Sequence, residues 1–118
     1  MPITLKRIYD EADSSDGHRI LVDRLWPRGV SKEKAKVDEW MKEVAPSNEL
    51  RKLFHGGGLS WAEFEKQYQE ELETHIEELR ALAEIAKTLK VTLLYSSKNN
   101  EQNNATVLKE FLEGMEAT

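Results

Sequence analysis

The sequence predicts a single small α/β domain over residues 1–118, a layered fold with a mostly parallel sheet of about four strands flanked by helices. Three observations predict it. The runs Ile20-Leu21-Val22 and Val91-Thr92-Leu93-Leu94-Tyr95 are apolar nearly throughout rather than alternating, as strands covered on both faces are. Other stretches repeat their apolar residues at spacings of three and four, the period of helices. The two kinds of segment alternate along the chain, which favours parallel strands joined by right-handed crossovers.

The elements follow in order. Ile3 and Leu5 alternate with Thr4 and Lys6, which suits a first strand, and Asp10 to Gly17 is a polar, glycine-terminated connection. The second strand runs over Arg19–Arg24 and must be finished by Trp26, because Pro27 cannot donate to a ladder. Ser31 caps a short helical turn through Lys36. Val37, Trp40 and Val44 recur at helical spacing, but Pro46 forces Ala45 to be extended. Ser47 caps a brief helix, Asn48 to His55, which Gly56-Gly57-Gly58 stops.

The clearest boundary comes next. Ser60 and Glu63 make a capping box, with Leu59 and Phe64 as its hydrophobic staple. Trp61, Phe64, Tyr68, Leu72, Ile76, Leu79, Ala83 and Ala86 then step along one face. A helix that long is unusual in a small domain, and Thr74 with Glu77 makes a second capping box, so a break or kink is expected near Glu73. After the Val91–Tyr95 strand, Ser96 to Asn103 is a wholly polar loop. Val107, Leu108, Phe111 and Leu112 mark a last helix over Ala105–Met115.

Composition removes several functional classes. With no cysteine there is no disulfide, thiolate zinc site or thiol nucleophile. No apolar run approaches the ~20 residues of a membrane span, and no signal-peptide core opens the sequence, so a cytoplasmic protein without membrane partners is expected. The net charge of −5 argues against broad nucleic-acid binding without excluding it. Its distribution is uneven. Residues 1–55 hold eleven Lys/Arg against ten Asp/Glu, whereas Glu63 to Glu84 contains eight glutamates and two basic residues, read as a solvated helix face.

Ile20 to Lys32, with the block Arg24-Leu25-Trp26-Pro27-Arg28-Gly29 at its centre, resembles the signature of the YeaO-like proteins, a bacterial family built on domain of unknown function 488. Asp38-Glu39-Trp40, Ala45-Pro46-Ser47, Glu49-Leu50-Arg51 and Val91–Tyr95 followed by Lys98 and Asn104 extend the resemblance over nearly the whole chain. It implies a small α/β protein and brings no activity and no catalytic residues with it. In more distant relatives the segment matching Val37 to Ala45 looks like a strand, which favours a strand here. Such relatives can carry Cys and His in the loop after the last strand. Asn103 and Asn104 stand there in this chain, which argues against a redox or metal role.

In parallel sheets ligands sit beyond the carboxyl ends of the strands. Two loops occupy that position, Asp23 to Gly29 and Ser96 to Asn104. Arg24 and Arg28 can bind phosphate or carboxylate bidentately, Trp26 can stack on a ligand, and Ser96, Ser97, Lys98, Asn103 and Asn104 can complete an anion pocket. Asp23 and Tyr95 are the acid–base candidates should there be a reaction. The competing reading pairs Asp23 and Asp38 with the two arginines in a structural network, and packs Trp26 against the sheet edge.

The histidines are too scattered for a metal site, and Asp10, Asp13 and Asp16 lack calcium-loop spacing and read as a solvated turn. Neither a Walker loop nor G-x-G-x-x-G occurs, so no cofactor is expected. The expected ligand is small and anionic, with a nucleic-acid or protein-interaction module as the alternative and a monomer or homodimer as the assembly.

Overall fold

The computed structural model describes residues 3–116. Its four strands are β1 (Ile3–Arg7), β2 (His18–Leu21), β3 (Glu39–Trp40) and β4 (Val91–Tyr95), all parallel and ordered β1-β4-β2-β3. The helices are α1 (Lys32–Ala35), α2 (Asn48–His55), α3 (Trp61–Leu72), α4 (Ile76–Thr88) and α5 (Asn104–Glu116). None of these helices is long and apolar enough to cross a membrane.

Strand alternation divides the core in two, as the continuous apolar runs require. Ile3, Ile20, Val22, Val91, Leu93 and Tyr95 face the larger layer, where Leu50, Phe64, Tyr68, Leu72, Leu79, Leu108 and Leu112 from α2 to α5 cover them. Leu21 and Leu94 point the other way, to a smaller cluster with Ile8, Ala35, Trp26 and Trp40. Central β4 is buried at every residue.

Local signals are realised where they depend on neighbours three residues apart. Ser31, Ser47 and Ser60 all cap their helices, and the Ser60–Glu63 box is complete. The Thr74–Glu77 box does not form. Leu72, Glu73 and Ile76 keep helical dihedrals, so α3 passes through a 3-10 turn at Glu73–His75 into α4, and the Thr74 hydroxyl donates to the Glu71 carbonyl instead. The segment Val37–Ala45 is neither a full strand nor a helix. Only Glu39–Trp40 pairs with β2, and a 3-10 turn at Lys42–Val44 follows.

Asp16 overturns the reading of its loop as solvated. A short 3-10 turn at Ser14–Asp16, capped by Asp13, folds its carboxylate inward to a buried ion pair with Arg19 and a 3.1 Å one with Lys6. Burial alone would raise this carboxyl's pKa. The Asp13 backbone N–H and hydrogen bonds from Lys6 and Arg19 outweigh that effect and hold it below its ordinary 3.8.

Candidate functional site

Every loop that leaves a carboxyl end of β1, β2 or β4 contributes to one cleft of about 340 Å³. Tyr9 comes from behind β1, Asp23 to Arg28 from behind β2, and Ser96, Ser97, Gln102, Asn103 and Asn104 from behind β4. Pro46 follows β3, and α2 and α3 supply Arg51, Phe54, His55 and Phe64.

The two loops singled out in the sequence are joined through Asp23. Its Oδ2 accepts from the Ser96 backbone N–H at 3.0 Å and the Ser96 hydroxyl at 2.6 Å. Its Oδ1 accepts from Asn104 Nδ2 at 3.1 Å, and the same amide donates to the Val22 carbonyl at 2.9 Å. Asp23 thus pins the β4 loop rather than pairing with an arginine. Asp38 lies elsewhere, accepting from the Arg19 backbone N–H. The network expected between aspartates and Arg24 or Arg28 is absent among the described residues.

Arg24 is held by carbonyls. Its Nε donates to Pro46 O at 2.9 Å and its Nη2 to Ala45 O at 3.1 Å. Carbonyl dipoles fix the guanidinium without cancelling its charge. Those carbonyls are placed in turn by Ser47, whose N–H and hydroxyl both donate to Glu71, and by the buried Tyr68 hydroxyl, which donates to Val44 O at 2.6 Å. At the end of β1, Arg7 grips the Ser97 and Ser96 carbonyls in the same way. Arg28 is exposed, and its backbone is tied down by the Tyr9 hydroxyl. Among the described residues none of Arg7, Arg24, Arg28 and Arg51 is ion-paired with a carboxylate. In a chain of net charge −5, the cleft thus gathers Arg24, Arg28 and Arg51 against the single carboxylate of Asp23.

Trp26 packs edge-on against Trp40 at 5.6 Å and donates its indole N–H to the Val30 carbonyl, so it lines the cleft as a fixed wall. Asn103 is buried as the cap of α5, accepting from the Thr106 N–H and donating to the Asn99 carbonyl. Tyr95 and Lys98 lie outside the cleft. Alternation along β4 turns Tyr95 into the core with Val91 and Leu93, where burial and nearby Asp10 push its phenol up despite Arg7. Lys98 stands exposed on the loop beyond the Arg7-bound carbonyls.

Sequence reasoning missed Arg51, Phe54, His55 and Phe64. Arg51, Phe54 and His55 stand at i, i+3 and i+4 of α2 and so share one face, a polar-aromatic stripe beside the buried Leu50. That stripe was the available signal. Arg51 Nε is the one buried side-chain polar atom among the described residues without a hydrogen-bond partner.

The family described as "Inactive DUF488-N3 subclade" matches residues 2–117. The chain belongs to this family. The YeaO-like resemblance holds at the level of whole sequences too. The uncharacterized protein YeaO of Escherichia coli (strain K12) is 54% identical over 115 residues, covering 98% of this chain and 100% of that protein. The uncharacterized protein Rv3073c of Mycobacterium tuberculosis (strain H37Rv) is 38% identical over 115 residues, 95% of this chain and 94% of its own. Mb3100c of Mycobacterium bovis shows the same identity and coverage. No solved structure matches the chain.

Proposed function

We propose that this DUF488-family protein binds a small phosphorylated anion where Arg24, Arg28 and Arg51 meet, and that it does so without turning the ligand over. The observation that carries the reading is the set of guanidinium groups lining one cleft with no carboxylate paired to them. Arginine forks match phosphate oxygens bidentately, and an orphaned buried N–H such as Arg51 Nε is satisfied by an acceptor entering the cleft.

Binding without catalysis is supported by the fate of the two acid–base candidates. Both carboxylate oxygens of Asp23 already accept hydrogen bonds from Ser96 and Asn104, and Tyr95 lies in the core. The family's description as inactive agrees. The chain's net negative charge and the modest cleft favour a small ligand over an extended polyanion.

Trp26 reports on the cleft, so titration with inorganic phosphate followed by tryptophan fluorescence tests the reading. Saturable change is expected in the wild type, weakened at least tenfold in Arg28→Ala and again in Arg51→Ala. A flat titration with Arg24 and Arg28 intact overturns it.

A further inference from the structure

We infer that the anion this cleft takes carries a planar aromatic ring, as a mononucleotide does; the inference rests on the phosphate-binding reading above. A phosphate group alone would engage the arginines and leave most of the roughly 340 Å³ empty. Apart from Asp23 and the polar loop behind β4, the rest of the lining is largely rings and apolar surface, including Phe54, His55, Phe64, Trp26, Pro27 and Leu25. Phe54 and Phe64 belong to one stack, whereas Trp26 packs separately on Trp40. Phe54 lies on Phe64 with centroids 4.4 Å apart and planes 21° from parallel, and Trp61 backs Phe64 at 5.6 Å and 27°. His55, exposed at the end of α2, extends this surface beside Phe54 with centroids 6.0 Å apart. A preassembled aromatic wall lining the same cleft as cationic groups offers a base a stacking face while its phosphate meets guanidinium.

A sugar phosphate fits the same charge but not the rest of the lining. Its hydroxyls are shared by the ribose of a mononucleotide and meet the same rim, where several polar groups are already committed. Asp23 holds Ser96 and Asn104, the Asn104 amide N–H groups reach Val22 and Asp23, and Asn103 caps α5. What separates the two is the base, whose flat face can lie against Phe54, Pro27 and Leu25, surface that a bare sugar phosphate leaves uncovered. The cleft is at the small end of ligand sites, which suits one nucleotide rather than a dinucleotide or a strand.

Calorimetric titration of the full chain with adenosine 5′-monophosphate, ribose 5-phosphate and inorganic phosphate separates these possibilities. The mononucleotide is expected to bind at least about tenfold more tightly than ribose 5-phosphate, the margin a single base stack supplies. Phe54→Leu should erase that margin while leaving ribose 5-phosphate affinity in place, and Arg28→Ala should weaken both. Because Phe54 helps hold α2, exposed His55→Ala serves as the second variant and should reduce the margin without touching the fold. Equal affinity for the nucleotide and ribose 5-phosphate overturns the aromatic inference and leaves the anion site standing. Failure of every phosphate compound to bind overturns both.

Discussion

At the scale of single residues, the most consequential group outside the cleft is Asp16. Its carboxylate neutralises Arg19 inside the protein, and Arg19 in turn donates through Nε and Nη2 to the Ala35 carbonyl, fastening α1 to the sheet. Asp16→Asn leaves the guanidinium buried with no counter-charge, so a loss on the order of 3 kcal/mol is expected in urea unfolding. The next residue is as intolerant for a different reason. Gly17 has φ +69°, and a Cβ there would lie 2.4 Å from the Lys90 carbonyl oxygen, which belongs to the backbone leading into β4. Gly17→Ala should cost about 2 kcal/mol or more, read from the same curves. Gly29 also has positive φ but meets nothing within 4 Å, so the alanine variant there should lose less. Neither effect was legible in the sequence. The polar loop Asp10–Gly17 shows no sign that one of its three aspartates turns inward, because the partner that draws it in, Arg19, lies within a strand.

Among elements, the helices divide into those defined locally and those defined by packing. Ser60→Ala removes one half of a formed capping box and should destabilise by about 1 kcal/mol, whereas Thr74→Ala should change stability little, since no box exists there. Thermal unfolding of the two variants side by side checks the contrast. The sequence could not distinguish the pairs, since both have hydroxyl and carboxylate three residues apart. What decides is the apolar face that Leu72, Ile76 and Leu79 continue across the junction, so the backbone departs from helical dihedrals at His75, the end of the 3-10 turn, instead of stopping at a capped end. The segment before α2 is also set from a distance. Tyr68 on α3 donates to the Val44 carbonyl in a fully buried bond, and burial drives its phenol far above the ordinary value of 10.0. Tyr68→Phe orphans that carbonyl, so stability should fall by about 1–3 kcal/mol. The cleft shows the same division. Arg24, Trp26 and Arg28 could be found because they crowd one post-strand turn, while Arg51, Phe54 and Phe64 reach the cleft only through helix packing.

On the scale of the whole molecule, acid should unfold the protein through its depressed carboxylates. Asp16 lies below its ordinary pKa through the causes described above. Asp13 is lowered chiefly by the Ser15 backbone N–H, and Glu63 chiefly by the Ser60 backbone N–H. A carboxylate whose folded pKa is depressed stabilises the fold above its unfolded value, and that stability is lost as pH falls through the folded one. Stability by circular dichroism should hold down to about pH 4.5, the ordinary value of Glu63, and decline progressively below pH 3.8. Sheet order has the widest reach of all. The fold class and three of the four strands could be read from local patterns, and β3 only from the family resemblance against its helical spacing, but which strand sits in the middle is a matter of long-range pairing that no local window contains. The answer, β1-β4-β2-β3, means that β1 and β2 do not pair with each other and are joined in the sheet only through β4, the last of the four strands. During synthesis at ~5–20 residues per second, the ribosome therefore exposes Ile20, Leu21 and Val22 for seconds before Val91–Tyr95 emerges to cover them. A nascent chain stalled anywhere before Val91 has only the short β2–β3 pairing and lacks the strand that joins β1 to it, so the sheet cannot close until nearly four-fifths of the chain has been made.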